Sequence, residues 1–89
     1  MTGDPLGMQA DLNRLLALVR HVLTANQRDD MQAFIVAGEW GLAVQTLCEV
    51  LYEDKLPLAP KAYTLIERVG RHIGLAPRYW EVLQPQVVQ

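Results

Sequence analysis

Serine is absent from this chain of 89 residues, and cysteine occurs once, as Cys48. Without serine there is no serine nucleophile, and a single cysteine forms neither an intramolecular disulfide nor a thiolate metal cluster. Cys48 falls on the apolar side of a predicted helix, where a thiol usually serves as an inert packing group. The sequence therefore excludes a serine nucleophile and disfavours a cysteine nucleophile.

Metal-binding and phosphate-binding motifs are also missing from the sequence. His21 and His72 are far apart, and neither belongs to a motif with the spacing of metal ligands. Gly38 and Gly41 precede a helical pattern without the lysine and hydroxyl pair that holds phosphate in nucleotide-binding loops. We therefore predict a protein that is not an enzyme and that uses no cofactor and no metal.

Long apolar runs are lacking too. No stretch of the sequence approaches the roughly 18 apolar residues of a membrane span. The first residues have neither the basic start nor the apolar segment that a secretory signal requires. We expect a cytoplasmic protein without a membrane partner.

Charge is distributed unevenly along the chain, although the net charge is only −2. Residues 1–54 carry eight acidic and three basic side chains, whereas residues 55–89 carry two acidic and five basic ones. Hydrophobic residues make up 51% of the sequence, a high share for one small domain. We expect part of this apolar surface to be reserved for a partner.

Apolar residues recur at helical spacing along most of the chain, and no alternation of period two persists as a strand would require. Asp29 and Asp30 are expected in the first turn of the second helix, where acids suit the helix dipole. We predict an all-α fold, a small antiparallel bundle of four to five short helices. The predicted helices cover residues 9–25, 27–37, 39–53, 60–73 and 77–83.

The two ends of the chain lack this periodicity. Residues 1–8 combine glycine and proline and are predicted to form a disordered tail. Pro85 is predicted to release a polar tail over residues 85–89. The single helical domain is therefore expected to span residues 9–84.

The third predicted helix carries acidic residues on its polar side. Glu49 and Glu53 stand four residues apart, where like charges repel by about 0.2–0.5 kcal/mol. Glu39 and Asp54 flank them. This edge is either an ordinary solvated helix face or a docking surface for a basic patch on a partner.

Tyr79 and Trp80 are adjacent in the last predicted helix, so at least one of them should be partly exposed. Aromatic side chains with a polar group are favoured anchors at protein interfaces. The residues predicted to contact a partner are Glu39, Glu49, Tyr52, Glu53, Asp54, Tyr79 and Trp80.

A longer pattern begins at Gly38. It comprises Gly38-Glu39-Trp40-Gly41-Leu42-Ala43, Thr46-Leu47-Cys48-Glu49, Leu51-Tyr52-Glu53, Leu56-Pro57-Leu58, Tyr63, Gly74-Leu75 and Tyr79-Trp80. At these positions, about half of the chain, the sequence resembles the MafI-type immunity proteins of bacterial polymorphic toxin systems. Ala59 departs from the pattern, which more often has a serine there as a helix cap, and residues 1–37 match only in being helical. The resemblance implies a cytoplasmic protein that binds and neutralises one cognate toxin.

Two other functions stay open from the residues alone. The first helix has a spare apolar edge with Leu18 and Val22, which would suit a helical scaffold module that self-associates, including as a homodimer. Residues 74–77 would form the turn of a helix-turn-helix DNA reader. The helix after that turn, however, carries Arg78 as its one base among packing residues, so DNA binding is the weaker alternative.

Overall fold

Helices account for 77% of the residues that the structure describes. The structure is a computed structural model, and it describes residues 5–88. Its α-helices are α1 (Pro5–Val19), α2 (Ala25–Val36), α3 (Trp40–Glu53), α4 (Pro60–Ile73) and α5 (Arg78–Glu81). Short 3-10 turns follow α1 at Arg20–Val22 and α5 at Gln84–Gln86. No β-strand occurs among the described residues, which confirms the predicted all-α fold.

The first helix begins earlier than the sequence pattern suggested. α1 starts at Pro5, a residue type that suits the first helical position because it has no N–H to leave unpaired. Met8 is 6% exposed and belongs to the core. The prediction of a disordered tail over residues 1–8 is therefore wrong from residue 5 onward, while residues 1–4 lie outside the described part of the chain.

α1 also ends earlier than predicted, at Val19. Side-chain hydrogen bonds stabilise the backbone that follows it in a non-helical course. The Arg28 guanidinium donates to the carbonyl oxygens of Leu23 at 3.0 Å and Arg20 at 3.3 Å. Thr24 then caps α2: its Oγ1 accepts from the Gln27 N–H at 3.1 Å, and Gln27 Oε1 accepts from the Thr24 N–H at 2.9 Å. This reciprocal capping box starts α2 at Ala25.

The earlier start of α2 moves its two acids along the helix. Asp29 and Asp30 are not in the first turn, contrary to the prediction, because α2 begins two residues before the predicted position. Met31 and Ile35 are buried as expected, and Phe34 is half-buried. Gly38 follows the helix with φ 76°, a left-handed conformation that glycine adopts without a steric cost.

α3 and α4 match the sequence prediction within one residue. Trp40 is half-buried at the start of α3, and the apolar residues that follow at helical spacing are all buried: Ala43, Val44, Leu47, Cys48 and Leu51. α4 begins with Pro60 and ends at Gly74, whose φ of 78° closes the helix in the left-handed conformation. Ala59 precedes α4 and provides no side-chain cap.

The helices pack around one apolar core. α1 contacts α2 and α4, α3 contacts α2 and α4, and α5 contacts both α3 and α4. The largest core side chain is Trp80 of α5, which is 1% exposed. Its ring lies on Gly70 of α4, where an added Cβ would overlap ring atoms Cζ3 and Cε3, the latter at 2.7 Å. α4 therefore accepts the indole only because it has no side chain at this position.

The C-terminal segment packs back onto the domain, so the predicted polar tail is wrong for residues 85–88. The Leu58 N–H donates to the Gln86 carbonyl and the Val88 N–H to the Leu58 carbonyl, both at 3.0 Å. The Gln86 side-chain amide also donates to the carbonyl oxygens of Leu51 at 2.7 Å and Leu56 at 2.9 Å. These contacts fasten the end of the chain to the loop between α3 and α4.

A charge placed on the buried side of α3 should unfold the protein. We expect Leu51→Asp to remove about 3 kcal/mol or more of stability, because Leu51 is 0% exposed and a carboxylate there would have no partner. Leu42→Asp is the matched control, since Leu42 lies on the same helix and is 46% exposed. It should change stability by less than about 0.5 kcal/mol. Urea unfolding followed by circular dichroism measures both, and equal losses would contradict the helix orientation.

Two glycine-to-alanine changes should have opposite effects. Gly70→Ala should destabilise the protein by about 1–3 kcal/mol, because the new methyl group overlaps the Trp80 ring. Gly41→Ala, in α3, meets no atom within 4 Å and should stabilise by up to about 1 kcal/mol through helix propensity. Thermal and urea unfolding of the two variants test this contrast. A stabilising Gly70→Ala would show that the indole does not lie on α4 as described.

Candidate partner-binding surface

The acidic residues of α3 and of its two ends are exposed. Glu49, Glu53 and Asp54 are exposed at the C-terminal half of the helix, and Glu39 is exposed at its start. We call these four residues the acidic face. Within the described residues the ion pairs are Arg68 with Asp11 at 3.1 Å and Arg71 with Glu67 at 2.8 Å, so neither involves the acidic face.

The helix geometry explains why the acidic face points away from the core. Glu49 and Glu53 lie two residues beyond Leu47 and Leu51, which is about 200° around an α-helix. Glu49 meets the amide of Gln45 at 3.5 Å, a long hydrogen bond. This contact with a neutral amide does not neutralise the Glu49 carboxylate, and neither ion pair of the described residues involves it.

A groove between α3 and α5 borders the acidic face. Tyr52 and Val82 are 52% and 43% exposed at its sides, so the groove presents apolar area to solvent. The Arg78 guanidinium lies over the half-buried Tyr79 ring, 5.1 Å from its centre. We call this the α3–α5 groove, and it is lined by Cys48, Glu49, Tyr52, Arg78, Tyr79 and Val82.

The structure brings together some of the predicted contact residues and separates others. Glu49, Tyr52 and Tyr79 share the α3–α5 groove, and Glu53 continues the same helix. Glu39 lies ten residues before Glu49, about 15 Å along α3. It extends the charged edge and is not part of the groove.

Trp80 is not a contact residue, contrary to the prediction. Its side chain is buried against Gly70, and the Arg71 guanidinium lies 5.6 Å from the centre of its ring. Of the adjacent aromatic pair, Tyr79 is therefore the one that remains partly exposed, as the spacing required.

Arg78 and Val82 also line the α3–α5 groove, although they were not among the predicted contact residues. They are four residues apart on the last helical segment, which places them on one side of it, and this spacing is readable in the sequence. What the sequence does not reveal is that this side faces Tyr52. The position of Arg78 and Val82 across the groove from Tyr52 depends on how Trp80 packs α5 against α4.

Cys48 lines the bottom of the α3–α5 groove but is not poised for chemistry. The side chain is 1% exposed, and burial together with the neighbouring Glu49 carboxylate raises the pKa of the thiol from 9.0 to about 12. A thiol in this environment stays protonated at neutral pH and is a poor nucleophile. The interpretation of Cys48 as a packing residue is confirmed by its burial.

Residues 5–88 contain neither a cluster of metal ligands nor a helix that could span a membrane. No group of three or more His, Cys, Asp or Glu side chains in this range is placed to hold a metal ion. None of the helices in it combines the length and apolar content needed to cross a bilayer. No family model, curated protein or solved structure matches the chain.

The raised pKa of Cys48 predicts slow alkylation and a specific pH dependence. At pH 8 the native thiol should react with iodoacetamide about 1000-fold more slowly than an unfolded one, because each pKa unit reduces the thiolate fraction about tenfold. Above pH 9 the unfolded thiol ionises and the native one does not. Stability should therefore fall with pH between 9 and about 12, by at most about 1.4 kcal/mol per pH unit.

The control for this measurement is Cys48→Ala. The variant should lose the Cys48 contribution to the alkaline slope while keeping that of the other titrating groups. Native alkylation as fast as in urea, or identical slopes for both proteins, would show that the thiol is accessible and ordinary.

Proposed function

We propose that this protein is an immunity protein that binds a cognate bacterial toxin in the cytoplasm and neutralises it. The binding surface is the acidic face of α3 together with the α3–α5 groove. The observation that carries the proposal is the combination of carboxylates that make no ion pair among the described residues with exposed Tyr52 and Val82 next to them.

Charge and apolar area contribute differently to such an interface. Glu49 and Glu53 attract a basic surface over long range and orient it, which raises the rate of encounter more than the final affinity. Tyr52, Tyr79 and Val82 offer the apolar area that slows dissociation once the surfaces meet. Here the charged groups, which speed encounter, lie next to the apolar groups, which slow dissociation.

The sequence resemblance supports a toxin as the class of partner. The residues that resemble the MafI-type immunity proteins run from Gly38 to Trp80, and the acidic face and the α3–α5 groove lie almost entirely within that range. A toxin that acts on nucleic acid would suit the charge, because its active site is basic to hold phosphate. The protein would then act by occupying that site, one copy for each toxin and without turnover.

The acidic face should be required for neutralisation but not for folding. Glu49→Lys with Glu53→Lys leaves the core untouched, since both side chains are exposed and the repulsion between them is merely exchanged for another. With a toxin domain that the original protein binds, we expect an association rate at least about tenfold lower at low salt, and a weaker salt dependence. Stopped-flow fluorescence measures the rate, and cell survival on toxin expression measures neutralisation.

The matched control is Asp29→Lys with Asp30→Lys, which changes the net charge equally on exposed positions of α2. This variant should associate nearly as fast as the original protein. Tyr52→Ala should act mainly on the dissociation rate. A well-folded Glu49/Glu53 variant that neutralises the toxin as well as the original protein would move the interface elsewhere.

A further inference from the structure

A second groove, between α1 and α4, has the opposite charge. Arg14 of α1 and Lys61 and Arg68 of α4 line it, and Leu18 and Leu65 form its apolar part. Arg14 and Lys61 have no ion-pair partner among the described residues, while Arg68 pairs with Asp11 at 3.1 Å. We call this the basic groove. It is not part of the surface proposed for toxin binding.

The outer side of α3 has features complementary to the basic groove. Leu42, Thr46, Glu49 and Glu53 lie within an arc of about 60°, at 100° per residue, on the side opposite the buried residues. Leu42 is 46% exposed, so an apolar group stands in line with the two acids. The outer side of α3 thus presents two acids and one leucine to solvent.

We propose that the basic groove of one copy of this protein receives the outer side of α3 of a second copy. Glu49 and Glu53 would approach Arg14 and Lys61, and Leu42 would cover the apolar part of the groove near Leu18. Both halves of this interface are present in one chain. Their charges are opposite, and each half also has an apolar part.

A second copy suits the groove better than nucleic acid does. The groove offers two unpaired cations, too few to follow a phosphate backbone, and Asp11 already occupies Arg68. No aromatic side chain lines the groove, so it has no platform on which bases could stack. Leucine side chains in a cationic groove fit an acidic amphipathic helix instead.

The two surfaces lie on different sides of the domain, which fixes the form of the assembly. Arg68 borders the basic groove, whereas Gly70, two residues later on α4, contacts Trp80 of α5. Residues two apart on a helix point about 200° apart, so α5 and the α3 helix that it packs against lie on the other side of α4 from the groove. The contact is therefore head-to-tail, so each copy keeps one free groove and one free α3, and association continues beyond the dimer unless a ring closes. If the proposed function holds, this association and toxin binding compete for Glu49 and Glu53.

Sedimentation velocity on the whole protein tests the contact. The weight-average sedimentation coefficient should rise with concentration at low salt. In about 0.5 M NaCl it should fall back towards the monomer value, because salt screens the attraction between exposed charges. Arg14→Glu with Lys61→Glu should weaken association by about tenfold or more, and so should Glu49→Lys with Glu53→Lys. An equimolar mixture of these two variants should associate again, because a basic α3 then meets an acidic groove.

Matched variants separate this contact from general charge effects. Arg20→Glu with Lys55→Glu alters the net charge as much as the groove variant, at exposed positions outside the groove, and should leave association unchanged. Loss of association in this control, or a mixture that stays monomeric, would overturn the proposal. So would a monomer at all concentrations, or binding of a 20-base-pair DNA duplex that the groove variant abolishes.

The groove variant also distinguishes the two proposals of function. Arg14→Glu with Lys61→Glu should still neutralise the toxin, because its acidic face is intact. A variant that no longer associates but neutralises fully supports both proposals. Association without any toxin neutralisation by the original protein would overturn the toxin proposal alone.

Discussion

The contact between the Trp80 ring and Gly70 is the constraint on which the proposed binding surface depends. α5 has four residues, too few for a helix to be stable by its own hydrogen bonds. Trp80, the one buried residue of α5, packs against a helix that lacks a Cβ at that point. Because the indole is fixed there, Tyr79 and Val82 are held opposite Tyr52, and the α3–α5 groove exists.

The C-terminal segment supports the other wall of that groove. α3 ends in a turn where Lys55 has φ 51°, a left-handed conformation that costs a residue with a Cβ about 1–2 kcal/mol. The Gln86 amide donates to the Leu51 carbonyl at 2.7 Å and the Leu56 carbonyl at 2.9 Å, on either side of the turn. These hydrogen bonds hold a turn that local preference disfavours, and they keep the end of α3, with Glu53, in place.

The sequence predicts those parts of the fold that have local causes. α4 is bounded by Pro60 and Gly74, and the buried residues of α3 follow from periodicity alone. The capping box of Thr24 and Gln27 is also a local signal, and reading it would have located the start of α2. The packing of Trp80 on Gly70 could not be predicted in this way, because those residues carry no local signal that they meet.

The same division applies to the binding surface. The exposure of Glu49 and Glu53 follows from helix phase, so the acidic face was predictable. Burial of Trp80, by contrast, depends on which of the two adjacent aromatic side chains packs against Gly70 of α4. The basic groove joins Arg14 to Lys61, which are 47 positions apart in the sequence, and only the packing of α1 on α4 brings them together.

Folding and surface charge are nearly independent in this domain. Its ion pairs in the described range, Arg68 with Asp11 and Arg71 with Glu67, are solvent-accessible and contribute about 0–1 kcal/mol each. The buried side of α3 carries the stabilising apolar contacts, and its outer side carries the charges. Substitutions on the outer side therefore alter what the protein attracts at little cost in stability. One helix thus holds the fold on one side and carries the proposed contact residues on the other.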